Sequence, residues 1–218
     1  MKTPKLHFKG ALLLVVLLSA LFTIAQCIES TNLHEDILPC NEGCDSLAVS
    51  QQLTAEEIDA ILFMREEEKL ARDVYLFLYE VHPLRPFLNI SKSEQAHMDA
   101  MLYLIDTYGL EDPVGDNPEG KFENAELQQL YSDLIERGSK SREEALAVGA
   151  LIEEVDIIDL RNAMDESVKN EDVIRVFENL CKASENHLRA FVRVLGMYNV
   201  DYQPELLEKA EFDRILAE

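Results

Sequence analysis

The chain has 218 residues, 42 acidic against 20 basic side chains and a net charge of −22. That balance excludes a nucleic-acid binder, which needs basic patches to neutralise phosphates, and favours a soluble, cation-attracting protein. The length suits one domain with a sizeable core and leaves no room for a second full domain.

Residues 1–10 carry Lys2, Lys5 and Lys9, and an uncharged apolar run of about fifteen residues follows at 11–25. This pattern reads as a secretory signal over residues 1–26 and is short for a membrane span. Cleavage near Ala25 gives an exported soluble protein. Acylation of Cys27 would instead give a lipoprotein, although Gln26 is a poor residue before a lipidated cysteine. Residues 27–52 lack a clear period and read as a linker or arm. In an oxidising compartment Cys40 and Cys44 are expected to pair, while Cys181 reads as a buried free thiol.

From Leu53 to the C-terminus the apolar period is helical, with no strand-like alternation. Helix A is expected over 54–81, B over 91–108, C over 141–165 and D over 171–198. Thr54/Glu57, Ser91/Glu94 and Ser141/Glu144 have the spacing of capping boxes, and Asn170 precedes helix D. The connections A–B and C–D are short enough for antiparallel neighbours. About 32 residues, 109–140, link B to C and include a short helix at 124–137. A 25-residue helix is about 37 Å long, so this connection can span a bundle and return the chain to the same end. The expected fold is all-α: a ferritin-like up-down four-helix bundle occupying 53–218, with one long crossover between B and C. A short C-terminal helix at 204–217 is expected outside it.

Polar groups interrupt the apolar faces at ligand-like positions. Glu94 and His97, three apart on helix B, project side by side from one face. A carboxylate with a neutral imidazole suits iron, manganese or zinc rather than calcium. The blander role for Glu94 is to close a capping box with Ser91. On helix C, Glu153 interrupts the row Leu146, Ala150, Ile157, Leu160 and Met164, where an uncompensated carboxylate is costly. Glu154 belongs to a less apolar row. On helix A, Glu66, Glu67 and Glu68 cover most of a turn and could simply form a solvated acidic face beside Arg65, Lys69 and Arg72. Spacing alone does not choose between Glu67 and Glu68. His187 lies in an apolar row of helix D, but Ser184 stands three residues before it, where a symmetric dinuclear site would have glutamate.

The segments MREEEKLARDVYLFLYE (64–80), NISKSEQAHMDAMLYLIDTYGL (89–110), ALAVGALIEEVDIIDL (145–160) and SENHLRAF (184–191) resemble an uncharacterised ferritin-like family, domain of unknown function number 2202. The likeness runs over nearly all of 53–217. More distantly, Glu68-x-x-Ala71-Arg72-x-x-Tyr75 resembles the first helix of rubrerythrins, where a glutamate seven residues before a tyrosine is a metal ligand. The resemblance implies a ferritin-like fold with a di-iron or di-manganese centre and favours Glu68 on helix A, with Tyr75 beside the metals as a redox or hydrogen-bonding residue; Glu94, His97, Glu153 and His187 from the apolar faces complete the expected ligand set. Ser184 leaves a five-ligand or mononuclear variant open.

The expected activity is that of a metal-dependent oxidoreductase acting on O₂, peroxide or Fe(II), with an external electron donor and a homodimer as one assembly open to it. No rubredoxin-like cysteine set supplies electrons. The alternative is an exported binding or structural module that keeps the fold without catalysis. Ferritin-type storage is a third reading and requires assembly into a shell.

Overall fold

The computed structural model describes residues 52–218. The expected export signal, Cys27 and the Cys40–Cys44 pair lie outside the described residues, as does all of the 27–52 arm except Gln52. Among the described residues there are six helices and no strand. None of these helices is long and apolar enough to cross a membrane.

Helix α1 spans Ala55–Val81 and opens on a complete capping box between Thr54 and Glu57. Glu57 also accepts from the backbone N–H groups of Lys169 and Asn170 at 2.8 and 2.7 Å, tying the start of α1 to a distant connection. Helix α2 spans Arg85–Tyr108, six residues longer at its start than the sequence suggests. Ser91 is therefore inside the helix, where its hydroxyl donates back to the Leu88 carbonyl. Leu84 is the N-cap, and Pro86 falls in the first turn, where a missing N–H costs nothing. This removes the capping-box role of Glu94. Only His82, Pro83 and Leu84 separate α1 from α2, and Gly109 ends α2 in the left-handed conformation, with φ 65°.

The short helix α3, Ala125–Gly138, is capped by Asn124, and α4, Arg142–Glu166, by Ser141. At α4 the box is half made: Ser141 accepts from Glu144 N–H, while the Glu144 carboxylate turns to Arg137 at 2.8 Å. Helix α5 spans Glu171–Met197 under an Asn170 cap, and α6 spans Lys209–Ala217. The last helix starts later than expected because the N–H groups of Glu205, Leu206 and Leu207 are turned onto the Glu154 carboxylate, at 3.2, 2.8 and 2.9 Å. Tyr202 adds a phenol donor at 2.7 Å. Glu154 thus anchors the C-terminal segment to α4. Replacing it by alanine strands these buried donors, and urea denaturation should show a loss of about 3 kcal/mol.

Helix α1 lies along α2, and α4 along α5; α1 also meets α4, α2 meets α5, and α3 touches both α1 and α4. At one end Tyr108, near the close of α2, donates to Asn170 at the start of α5, 3.1 Å away. Toward the other end Tyr75, Phe87 and Phe191 form an aromatic trio with ring centroids 5.4–6.2 Å apart. Gly149 permits this packing, since a Cβ there would sit 2.5 Å from the Phe191 ring. Helix α6 seats Phe212 and Ile215 inward, and Cys181 is a buried free thiol.

The polar residues of α1 secure the long connection that follows α2. Arg65 binds Asp112 through two nitrogens, at 3.1 and 2.9 Å, and the Glu66 carboxylate accepts from the N–H groups of Glu123 and Asn124. Lys69 donates to the Pro118 carbonyl and lies 4.5 Å from the centre of the Phe122 ring. Its partner Asp73 accepts from Gly120 N–H. Glu66, Glu67 and Glu68 are all buried, at 4%, 2% and 0% exposure, so the solvated acidic face is overturned. Successive residues differ by about 100° around a helix, and here each of the three directions meets protein.

Candidate metal centre

Each of four helices brings ligand-type side chains into one interior region. Helix α1 supplies Glu68, α2 supplies Glu94 and His97, α4 supplies Glu153, and α5 supplies His187. The three carboxylates are fully buried; His97 and His187 are 10% and 12% exposed at the side chain. Their oxygen and nitrogen atoms converge into two adjoining groups, Glu68–Glu94–His97 and Glu94–Glu153–His187, within each of which one atom per residue lies within 4.8 Å of the others.

Glu94 belongs to both groups and divides its oxygens between them. Oε2 lies 2.7 Å from His97 Nδ1, which is itself 3.1 Å from Glu68 Oε2. Oε1 lies 2.9 Å from His187 Nδ1, which is 3.4 Å from Glu153 Oε2. The two imidazoles stack across this carboxylate, with centroids 5.6 Å apart and planes 22° from parallel. His97 Nδ1 and Glu68 Oε2 are hydrogen-bonded, but both Glu94 oxygens, Glu68 Oε1, Glu153 Oε2 and His187 Nδ1 are buried without an aligned partner. Buried polar atoms that converge without satisfying one another are what a bound cation would complete.

Tyr75 is wholly buried and donates its phenol to Glu153 Oε1 at 2.6 Å. That bond fixes one oxygen and leaves the other toward His187. Burial, with Glu153 and Glu94 nearby, pushes the Tyr75 phenol well above its usual range, so it stays a proton donor at neutral pH. Phe87 and Phe191, both fully buried, pack apolar surface against the Tyr75 ring.

The charges within the centre pull one another strongly. Burial opposes ionisation of Glu94, but His187 and His97 outweigh it and bring the carboxyl down to about 2. Burial likewise opposes a charged His97, yet Glu68 and Glu94 raise it to about 11; Glu153 and Glu94 raise His187 to about 10. Glu68, for which burial dominates, rises to about 7, and burial also raises Glu153. Without a cation, the cluster is held by protons on its imidazoles.

The structure brings together all six residues singled out in the sequence: Glu68, Tyr75, Glu94, His97, Glu153 and His187. It separates Glu68 from Glu67, which spacing left open, and Glu153 from Glu154, as the helical row favoured, because Glu67 turns toward α4 and Glu154 toward the C-terminal segment. Ser184 adds no ligand, since its hydroxyl donates to the Leu180 carbonyl one turn earlier at 3.2 Å. Sequence reasoning missed Asp156, which is 1% exposed with both oxygens unpartnered. Its signal was present in the row Gly149, Glu153, Asp156, Leu160, a second helical row through Glu153.

Fold and site together define an all-helical bundle with two adjoining groups of buried metal-ligand side chains around one shared glutamate. The chain belongs to the family described as "Uncharacterized protein domain (DUF2202)", whose model matches residues 57–218. It is 47% identical over 167 residues to the uncharacterized protein MJ0754 of Methanocaldococcus jannaschii, covering 77% of this chain and 90% of that protein. The crystal structure of hypothetical protein MJ0754 superposes with a TM-score of 0.75, covering 77% of this chain and 95% of that one.

Proposed function

We propose that the protein is an exported, ferritin-like non-haem metal-carboxylate oxidoreductase, which oxidises Fe(II) or reduces O₂ or peroxide at a dinuclear iron or manganese centre. The observation that carries this reading is Glu94, whose two oxygens face two separate histidine–glutamate pairs. Glu68, Glu94 and His97 would hold one metal, and Glu94, Glu153 and His187 the other. Support for the ferritin-like arrangement comes from the helix ends: Glu57 and Tyr108 both reach the α4–α5 connection, while Tyr75, Phe87, Phe191 and Gly149 gather toward the opposite end. Helices α2 and α4 then run the same way, and the long connection carrying α3 returns the chain between them.

Such a centre, when loaded, supplies one-electron chemistry at sites left open by two imidazoles and three carboxylates. The chain's own contribution is to divide Glu94 between the half-sites, to fix Glu153 through Tyr75, and to keep the interior dry. Elemental analysis after expression with Fe²⁺ or Mn²⁺ should find two metals per chain. Absence of metal, together with no change in thermal stability in the Glu94→Ala, His97→Ala double variant, would sink the proposal.

A second reading, a non-catalytic exported binding module, is favoured by Ser184 alone, which withholds the sixth ligand expected of a symmetric site. Turnover of O₂ or peroxide by metal-loaded protein eliminates it.

A further inference from the structure

Beside the centre lies a second set of acids that the proposed chemistry does not use. Glu67 on α1 and Asp156 on α4 are 2% and 1% exposed, and all four of their carboxylate oxygens are buried without an aligned partner. The groups that bear on them are acids. Glu67 faces Asp159 first and then Glu68; Asp156 faces Glu68, Glu67, Glu153 and Glu94. The cations of α1 are committed elsewhere, Arg65 to Asp112 and Lys69 and Arg72 to Asp73. Asp159 is only partly buried, one turn beyond Asp156 on α4.

Burying carboxylates with no cationic partner, and with only another acid, Asp159, beside Glu67, destabilises a fold, and hydrophobic residues of similar size would pack the same space at less cost. Their order is directional. From the partly exposed Asp159 each acid bears electrostatically on the next, Asp159 on Glu67, Glu67 on Asp156, and Asp156 on Glu68 in the centre. They do not form a third closed site, since the three-residue ligand groups among the described residues are the two that share Glu94. A row of acids too widely spaced to enclose an ion, yet each near the next, suits a moving cation better than a resident one.

We infer that Asp159, Glu67 and Asp156 form a carboxylate relay that carries divalent cations from the surface of the bundle to the Glu68 half of the centre. The relay rests on the metal-centre reading and assigns a use to acids which that reading leaves idle. An acid-lined route with apolar walls concentrates cations and accelerates their association, whereas resident ligands set how many are held.

The test is stopped-flow loading of the chelator-treated full chain with Co²⁺, followed by its visible absorption, with metal stoichiometry measured at the end point. Glu67→Gln and Asp156→Asn keep side-chain volume and remove charge; Asp159→Asn alters only the partly exposed mouth and serves if an interior variant fails to fold. Each variant is expected to bind as many Co²⁺ ions as the wild type with the same final spectrum, but to load roughly tenfold more slowly. Loading at the wild-type rate overturns the relay and leaves the centre standing. Loss of a Co²⁺ equivalent also overturns it, by making these residues ligands. A wild type that takes up no Co²⁺ overturns the relay and the centre together.

Discussion

Glu94→Gln will abolish metal binding at both half-sites, whereas Glu153→Gln will weaken only one. The asymmetry follows from geometry: Glu94 places one oxygen beside His97 and the other beside His187, while Glu153 touches only the His187 group. Glutamine keeps the volume but offers one carbonyl oxygen and a donor in place of a shared carboxylate. Even residues that only orient a ligand cost 10- to 100-fold in affinity when removed, so loss of the shared ligand should exceed about 100-fold. Isothermal titration with Mn²⁺ should show two equivalents for the wild type, one for Glu153→Gln and none for Glu94→Gln at micromolar protein. Equal loss in the two variants would show that the groups do not share Glu94.

The chelator-treated protein will melt at a lower temperature at pH 9 than at pH 6, and metal will reverse the trend. His97 and His187 hold their protons up to about pH 11 and 10, against an ordinary value of 6.5. Between those limits the folded state binds more protons than the unfolded chain, so stability is fully present below about 6.5 and is lost as pH rises. Glu68, raised from 4.5 to about 7, adds the same sign over a lower window. Glu94, lowered to about 2, acts only under acid conditions, where its contribution is lost as pH falls from 4.5. The net loss from pH 6 to 9 should exceed about 2 kcal/mol, or several degrees in Tm for a chain of this size. Metal requires neutral imidazoles, so its binding releases their protons and tightens with pH. A flat calorimetric profile for the chelated protein would show that these histidines are not held by their carboxylates.

The helix starts were legible wherever a cap closed locally. Thr54, Ser141 and Asn170 each sit one residue before the helix they begin, because an N-cap is chosen by its nearest neighbours in sequence. Ser91 misled because its spacing to Glu94 imitates a capping box. Pro86 falls between the expected ranges of helices A and B, yet it is tolerated in the first turn of α2 and marks a helix start. The start of α6 was not legible, since Glu154, some fifty positions away, takes the N–H groups of 205–207.

The sequence by itself determined the all-helical character, the four long elements and the presence of Glu94, His97 and His187 on apolar faces, since period and residue type are local properties. Only the tertiary structure decided that Glu94 serves both groups, and that Glu68, chosen by the resemblance, and Glu153, favoured by its row, face the histidines while Glu67 and Glu154 turn elsewhere. The reason is physical. Residues 64–71 of α1 and 145–157 of α4 are buried all round, so an apolar stripe no longer marks which side faces the bundle axis. Adjacent residues point about 100° apart, and the roll of such a helix is set by what packs on every side of it.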